Sequence, residues 1–183
     1  MSRHLSAEEL AEGLELIRGS ANDGGTLEMI VRRPFEDARE ELEEGDLSLE
    51  LGLVGDNWRT RGSSWSDDGL GHPDMQLNVM NSRAIALIAG SRDRWKLAGD
   101  QLYVDLDLSD ENLPPGSRLR IGKAEIEITE IPHSGCRKFA DRFGVEAVKF
   151  VNSPEGKRLH LRGVNAKVIV PGKIRVFDVV SKL

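Results

Sequence analysis

Short runs in which apolar and polar residues alternate, each cut off by glycine or proline, constrain this chain more than any other feature. Ala124-Glu125-Ile126-Glu127-Ile128-Thr129-Glu130-Ile131 is the clearest of them. A period of two puts one face of a strand into a core and the other into water. Leu47–Leu51 and Gln101–Leu108 repeat the pattern. Thr26–Arg32, Met75–Met80, Arg118–Ile121, Leu159–Leu161, Val164–Val170 and Ile174–Val180 read as further strands, with turns at Gly122-Lys123 and Pro171-Gly172. Ser6 and Glu9 form a capping box for a helix whose apolar stripe is Leu10, Leu14 and Ile17, ending at Gly19. Helices are also expected over Arg83–Ala89, capped by Ser82, and over Cys136–Phe143 and Ala147–Val151, with a helical turn or two in the acidic stretch Phe35–Glu44. Strands and helices do not alternate steadily, so a Rossmann-like sheet is not expected. The pattern predicts a mostly β fold with short helices, in a closed or partly closed barrel that removes exposed strand edges.

With 183 residues, 39% hydrophobic and 31% charged, the chain has the size and balance of one globular domain. No apolar run reaches the roughly 18 residues of a membrane span. Met1-Ser2-Arg3-His4-Leu5 lacks the apolar segment of a signal peptide, so a cytoplasmic protein with no membrane partner is expected. The net charge of −6 argues against nucleic acid as a partner. That total hides an asymmetry. Residues 1–56 hold 15 acids and 5 bases, whereas residues 133–175 hold 3 acids and 10 bases.

The sole cysteine, Cys136, lies in the basic part. One cysteine excludes an internal disulfide and a multi-cysteine zinc or iron–sulfur site. Cys136 falls where a strand pattern ends and a helical pattern begins, followed by Arg137 and Lys138 and preceded by His133 and Gly135. A helix N-terminus and adjacent cations favour a thiolate, which is both a nucleophile and a soft metal ligand. Gly135 permits close backbone approach. A buried structural cysteine is the alternative reading.

Several stretches together resemble the MOSC family, named for the C-terminal domain of molybdenum cofactor sulfurase. They are Pro132-His133-Ser134-Gly135-Cys136, Lys138-Phe139, Arg142-Phe143-Gly144, Leu161-Arg162-Gly163-Val164-Asn165-Ala166-Lys167-Val168 and Pro171-Gly172-Lys173-Ile174. Gly52-Leu53-Val54-Gly55-Asp56, Asn81-Ser82-Arg83 and Gly99–Leu108 are similar to earlier parts of that family. The resemblance covers residues 26–183, leaving 1–25 as an N-terminal helix and turn. It implies a MOSC-type β-barrel and a molybdenum cofactor (molybdopterin) bound with Cys136 as the metal ligand. It also implies two activities: reduction of small N-hydroxylated substrates with electrons from a separate reductase, or carriage of sulfur as a Cys136 persulfide supplied by a cysteine desulfurase. A non-catalytic binding module is the third reading. The pyridoxal phosphate associated with full sulfurases belongs to a partner domain for which 183 residues leave no room, and it is not expected here.

Arg83, Arg137, Lys138 and Arg162 are the candidates to hold the phosphate of such a cofactor, joined by Arg59 and Arg61 from a long polar loop at 57–74. Gly163 would let the chain pass close to the site, and Asp56 would either position a pterin amine or cap its own turn. His72 and Asp74 would stand at the mouth of a site or form an ordinary turn.

Overall fold

The computed structural model describes residues 3–183. Helices α1 (Ala7–Glu12) and α2 (Leu14–Arg18) are followed by strands β1 (Gly25–Arg32), β2 (Glu40–Leu42), β3 (Glu44–Ser48) and β4 (Gly52–Leu53). Helix α3 (Trp58–Arg61), strand β5 (Leu77–Asn81), helix α4 (Ser82–Ala89) and strands β6 (Leu102–Asp105), β7 (Arg118–Ile121) and β8 (Ala124–Ile128) come next. Helices α5 (Arg137–Phe143), α6 (Val145–Asn152) and α7 (Pro154–Arg158) precede strands β9 (Val164–Val170), β10 (Gly172–Arg175) and β11 (Val179–Lys182). Short 3-10 segments lie at Pro73–Met75 and Arg92–Ala98.

Seven strands close in the order β11-β7-β8-β9-β5-β6-β1, with β1 returning to β11 through Gly25↔Val180 and Thr26↔Val179. Closure leaves no free edge around the ring. Strand β2 adds to the other end of β1, and β10, β3 and β4 form a small separate sheet. All pairings are antiparallel except β5 with β6, which are joined through α4 as a single βαβ unit.

Two cores explain the two kinds of strand. Leu27, Ile30, Val79, Leu102, Val104, Ile121, Ile126 and Val168 fill the barrel. Met29, Val31, Met80, Tyr103 and Ile85 pack outside it with Leu10, Ile17, Phe139, Phe143 and Val151 of the helical layer. Strands β5 and β6 are therefore covered on both faces and read as nearly unbroken apolar runs. Strands β7 and β8 face water on one side and alternate. In β1 the register with β6 shifts between Leu27 and Met29. This irregularity sends Leu27 inward and Met29 outward although they are two residues apart, as an inserted residue does in a bulge.

Several expectations are corrected. The acidic stretch Phe35–Glu44 is not helical; it has no apolar stripe to bury, and Leu42 and Glu40 pair instead with Ile30 and Arg32 of β1. Leu159–Leu161 is not a strand. It is the turn after α7, with His160 at φ 48° and the Leu161 amide donating to the Gly156 carbonyl. The run Ile174–Val180 is broken by Phe177 at φ 74°, giving β10 and β11. The N-terminal helix is divided at Gly13, where a Cβ would lie 2.5 Å from Leu87. The cap of α4 is Asn81, whose Oδ1 accepts from the Ala84 amide, rather than Ser82.

Gly163 stands at φ 102°, where a Cβ would come within 2.5 Å of the Val79 carbonyl of β5. Gly163→Ala is expected to lower stability by at least ~2 kcal/mol, through backbone strain and the clash, as a shift in urea midpoint.

Candidate functional site

The site is built on a buried ion pair. Arg33 follows β1, and its guanidinium meets Asp56 with Nε–Oδ2 at 2.9 Å and Nη2–Oδ1 at 2.8 Å. The two side chains are 2% and 0% exposed. Asp56 also accepts from the Arg33 and Trp58 amides and from Gln101 Nε2. Both of its oxygens are thus fully engaged, and Asp56 anchors the chain just before α3. Arg33 Nη1 donates to Asn78 Oδ1 and to the Gly99 carbonyl. Asn78 donates on to Asn165, and Asn165 to the carbonyl of Ile131. This buried polar chain ends at the root of the Cys loop, Pro132–Cys136.

The loop itself is clamped by Asn152 at the end of α6. Its Oδ1 accepts from the Gly135 amide at 2.9 Å and its Nδ2 donates to the Gly135 carbonyl at 3.0 Å. A Cβ on Gly135 would lie 2.8 Å from Val151, so glycine is required there for packing against α6. Cys136 is the N-cap of α5, in extended conformation, and its thiol is exposed. Exposure removes the reading of a buried structural cysteine.

Behind the loop, Arg162 is buried against Asp100 at 2.6 Å, donates to the Ala98 carbonyl and stacks 4.9 Å from the Phe139 ring. His133 Nδ1 approaches Asp100 Oδ1 at 3.5 Å without a hydrogen bond, and both atoms are buried and unpartnered, as is Arg162 Nε. Burial pushes the Asp100 carboxyl up and the His133 imidazole well below its ordinary value. Asp100 does not hold the proton on His133 because Arg162 already balances it, and Arg162, Arg33 and Arg61 all oppose a second cation.

Two cavities flank the Cys loop. One, of about 470 Å³, is lined by Arg33, Phe35, Arg39, Arg61 and Lys138 among others. The second, of about 330 Å³, is lined by Trp58, Arg61, Trp65, His72, His133 and Ser134 among others. They meet at Arg61; Ser134 of the loop lines the second, and Lys138, in the first turn of α5, lines the first. Cys136 lines neither wall. Arg61 reaches solvent, yet the surrounding protein strips enough water from it to lower its pKa to about 10, with Arg33 and Arg39 adding repulsion. Burial lowers Arg39 too, and its Nε is buried without an acceptor. These are cations that an anionic ligand would stabilise.

The residues singled out in the sequence divide. Cys136, Gly135, Lys138 and Arg61 are brought together, with Arg162 buried directly behind. Arg137 is exposed beside them. Arg83 lies elsewhere, in a two-pronged pair with Asp105 at 2.8 and 3.0 Å and a bond to the Leu16 carbonyl that ties α2 to the barrel. Gly163 serves the approach to β5, Arg59 pairs with Glu50, and Asp74 pairs with Lys167 at 3.0 Å. Sequence reasoning missed Arg33, Arg39, Asp100 and Asn152. Only Asp100 stood inside a stretch already singled out, and an arginine in an acidic segment carries no signal that it will be buried.

Barrel, helical cover and a thiol loop beside cationic cavities define a small barrel protein with an exposed cysteine site. A family model described as the MOSC domain matches residues 66–181. The chain belongs to the MOSC domain family. Among solved structures, YiiM from Escherichia coli is 20% identical, with a TM-score of 0.56 over 86% of this chain and 69% of that one. The YuaD protein from Bacillus subtilis is 16% identical, with a TM-score of 0.64 over 85% and 93%. YiiM from Geobacillus stearothermophilus is 11% identical, with a TM-score of 0.53 over 90% and 74%. At these identities the likeness is one of fold. No curated protein matches the chain. Among the described residues no helix is long and apolar enough to cross a membrane.

Asp56→Ala is expected to lower stability by ~3–5 kcal/mol, because it leaves the Arg33 guanidinium buried and uncompensated. Chemical denaturation followed by circular dichroism measures this.

Proposed function

We propose that this protein binds a molybdenum cofactor with the Cys136 thiolate as its protein ligand and reduces small N-hydroxylated compounds. The observation that carries the reading is the exposed Cys136 on a clamped loop between two cavities that share Arg61. The donor set fits the group the family is associated with. Arg39, Arg61 and Lys138 would face the anionic phosphate, and the unpartnered Arg39 Nε is a free donor for it. Among the described residues no three His, Cys, Asp or Glu are grouped to hold a metal. A lone thiolate therefore suits a metal whose other soft ligands come from the cofactor. When bound, that group supplies a metal able to exchange two electrons with a substrate N–O bond.

The chain's own residues do the positioning. Asn152 fixes the backbone of Gly135 one residue before the thiol. Trp58 and Trp65 wall the His133 cavity. Asp56, with every lone pair engaged, holds α3 and Arg61 in place rather than meeting the ligand. Overall, R–NHOH takes up two electrons and two protons and leaves as R–NH₂ and water. The electrons come from a separate reductase, and the setting is the cytoplasm.

Protein produced in a cofactor-competent host is expected to carry molybdenum, and Cys136→Ser to lose it by roughly tenfold or more with unchanged circular dichroism. Elemental analysis, with an N-hydroxylated amidine reduction assay using a chemical electron donor, measures this. Equal metal in both proteins, or metal-free wild type inert in the assay, overturns the reading.

One observation favours a second reading: the thiol lines neither cavity and is open to another protein. In that reading a cysteine desulfurase persulfide passes its outer sulfur to the Cys136 thiolate and leaves as a thiolate. Intact-mass measurement after incubation with a desulfurase and cysteine would then show one added sulfur, absent in Cys136→Ser. Wild type without the adduct rejects it.

A further inference from the structure

His133 divides two cavities. Its ring lines the cavity of about 330 Å³ beside the Cys loop and also a narrower one of about 120 Å³ behind it. The rear cavity lies against Ile128 and Val164 of the barrel and is bordered by His160 and Asp110, which are 2.7 Å apart and partly exposed. Because Nδ1 of His133 is buried, Nε2 is the ring nitrogen left to meet a ligand in front or water behind. The ring can therefore exchange a proton with solvent while the front cavity is occupied.

Buried Nδ1 faces Asp100 Oδ1 at 3.5 Å, and neither atom has a hydrogen-bond partner. Closing that gap to the roughly 2.9 Å of a hydrogen bond takes about 0.6 Å. A carboxylate so placed steadies an imidazolium and leaves Nε2 pointing outward. Cations oppose it. Arg162 already pairs with Asp100, and Arg162, Arg33 and Arg61 all repel a further positive charge on His133. His72 shares the front cavity, and Glu130, Asp110 and His160 border the rear one. Of these groups Arg61 alone also lines the wall of the Arg39 cavity together with Arg33, and it is the one that reaches solvent. An anion seated on Arg61 cancels part of the repulsion that keeps the ring neutral.

We propose that His133 is the proton-transfer residue of this cleft, taking up a proton when an anion occupies the Arg61 wall and delivering it from Nε2 to the ligand beside the Cys loop. This rests on the proposed reductase reading for the proton's destination, but not for its uptake. In that reading the electrons from the reductase break the N–O bond, the His133 proton goes to the departing hydroxyl oxygen to make water, and the ring is left neutral. His133 supplies one of the two protons the reaction consumes, and the pairing of Nδ1–H with Asp100 holds the charged ring in place until it is delivered.

The first test uses the intact protein without molybdenum and sulfate as the probe, an anion that does not titrate near neutral pH. Titration calorimetry follows binding, and nuclear magnetic resonance follows the His133 ring against pH. Saturating sulfate is expected to raise the His133 titration midpoint by about one pH unit or more, which makes sulfate bind at least fivefold tighter at about pH 5.5 than at about pH 7.5. His133→Gln should lose most of that pH dependence, with its fold checked by circular dichroism. The midpoint in the wild type needs no variant. Absence of saturable sulfate binding, a midpoint that sulfate leaves unmoved, or the same pH dependence in a folded His133→Gln overturns the proposal. In molybdenum-loaded protein, His133→Gln should lower kcat for an N-hydroxylated amidine at least tenfold with KM and metal content unchanged, and added imidazole should restore part of the loss. An unmoved kcat overturns the delivery step. A sulfate-linked midpoint shift in a wild type that is metal-free and inert overturns the reductase reading instead and leaves the proton uptake standing.

Discussion

The Arg33–Asp56 pair is the interaction on which the site depends. Ion pairs this deep are weak contributors to stability when compared with apolar packing, because desolvation cancels most of their attraction. Their value is in specifying geometry. Here one carboxylate receives the guanidinium, two backbone amides and Gln101. It thereby joins the end of β1 to the start of α3, and through Gln101 to the start of β6. The guanidinium passes the constraint on to Asn78, Asn165 and the carbonyl of Ile131. A polar chain of this kind has few alternative arrangements, so it holds a loop in one place where hydrophobic contacts would allow sliding.

The same pair explains the electrostatics around it. With Arg33 satisfied by Asp56 and Arg162 by Asp100, the arginines of the cavity wall left without a carboxylate in ion-pair range among the described residues are Arg39 and Arg61. The positive end of the cleft is thus a remainder, created by matching other arginines internally. The basic balance of residues 133–175 is a poor guide to it, since Arg33, Arg39 and Arg61 all lie outside that segment, two of them in the acidic stretch 1–56.

How much was legible in the sequence follows from what each signal measures. Period-two alternation reports a strand with one wet face, and β7 and β8 were readable for that reason. The capping box at Ser6 and Glu9 was equally local, and both of its hydrogen bonds form. The stretch at Glu40–Leu42 was misread because its strand character comes from β1 alongside it, which no local pattern encodes. The site behaved likewise. Cys136, Gly135 and Lys138 are contiguous and were found together. Asn152 clamps them from 17 residues away, and Arg33 supports them from more than 100 residues away in the chain. Arg83 was singled out for its place in a family-like stretch, but tertiary structure gave its guanidinium to Asp105.

The register shift in β1 makes that strand a shared wall between two differently built interiors. Residues before the shift belong to the barrel on one parity, and residues after it on the other. The helical layer that carries Cys136 is thus keyed to the barrel by a single residue's worth of phase at Glu28. Loss of one residue there would exchange the sides of Met29 and Ile30, pushing a thioether into the barrel and a branched chain toward Phe139 and Phe143. In a closed barrel the neighbouring strands cannot slide to absorb such a change, so this part of the chain should tolerate substitution far better than any change of length.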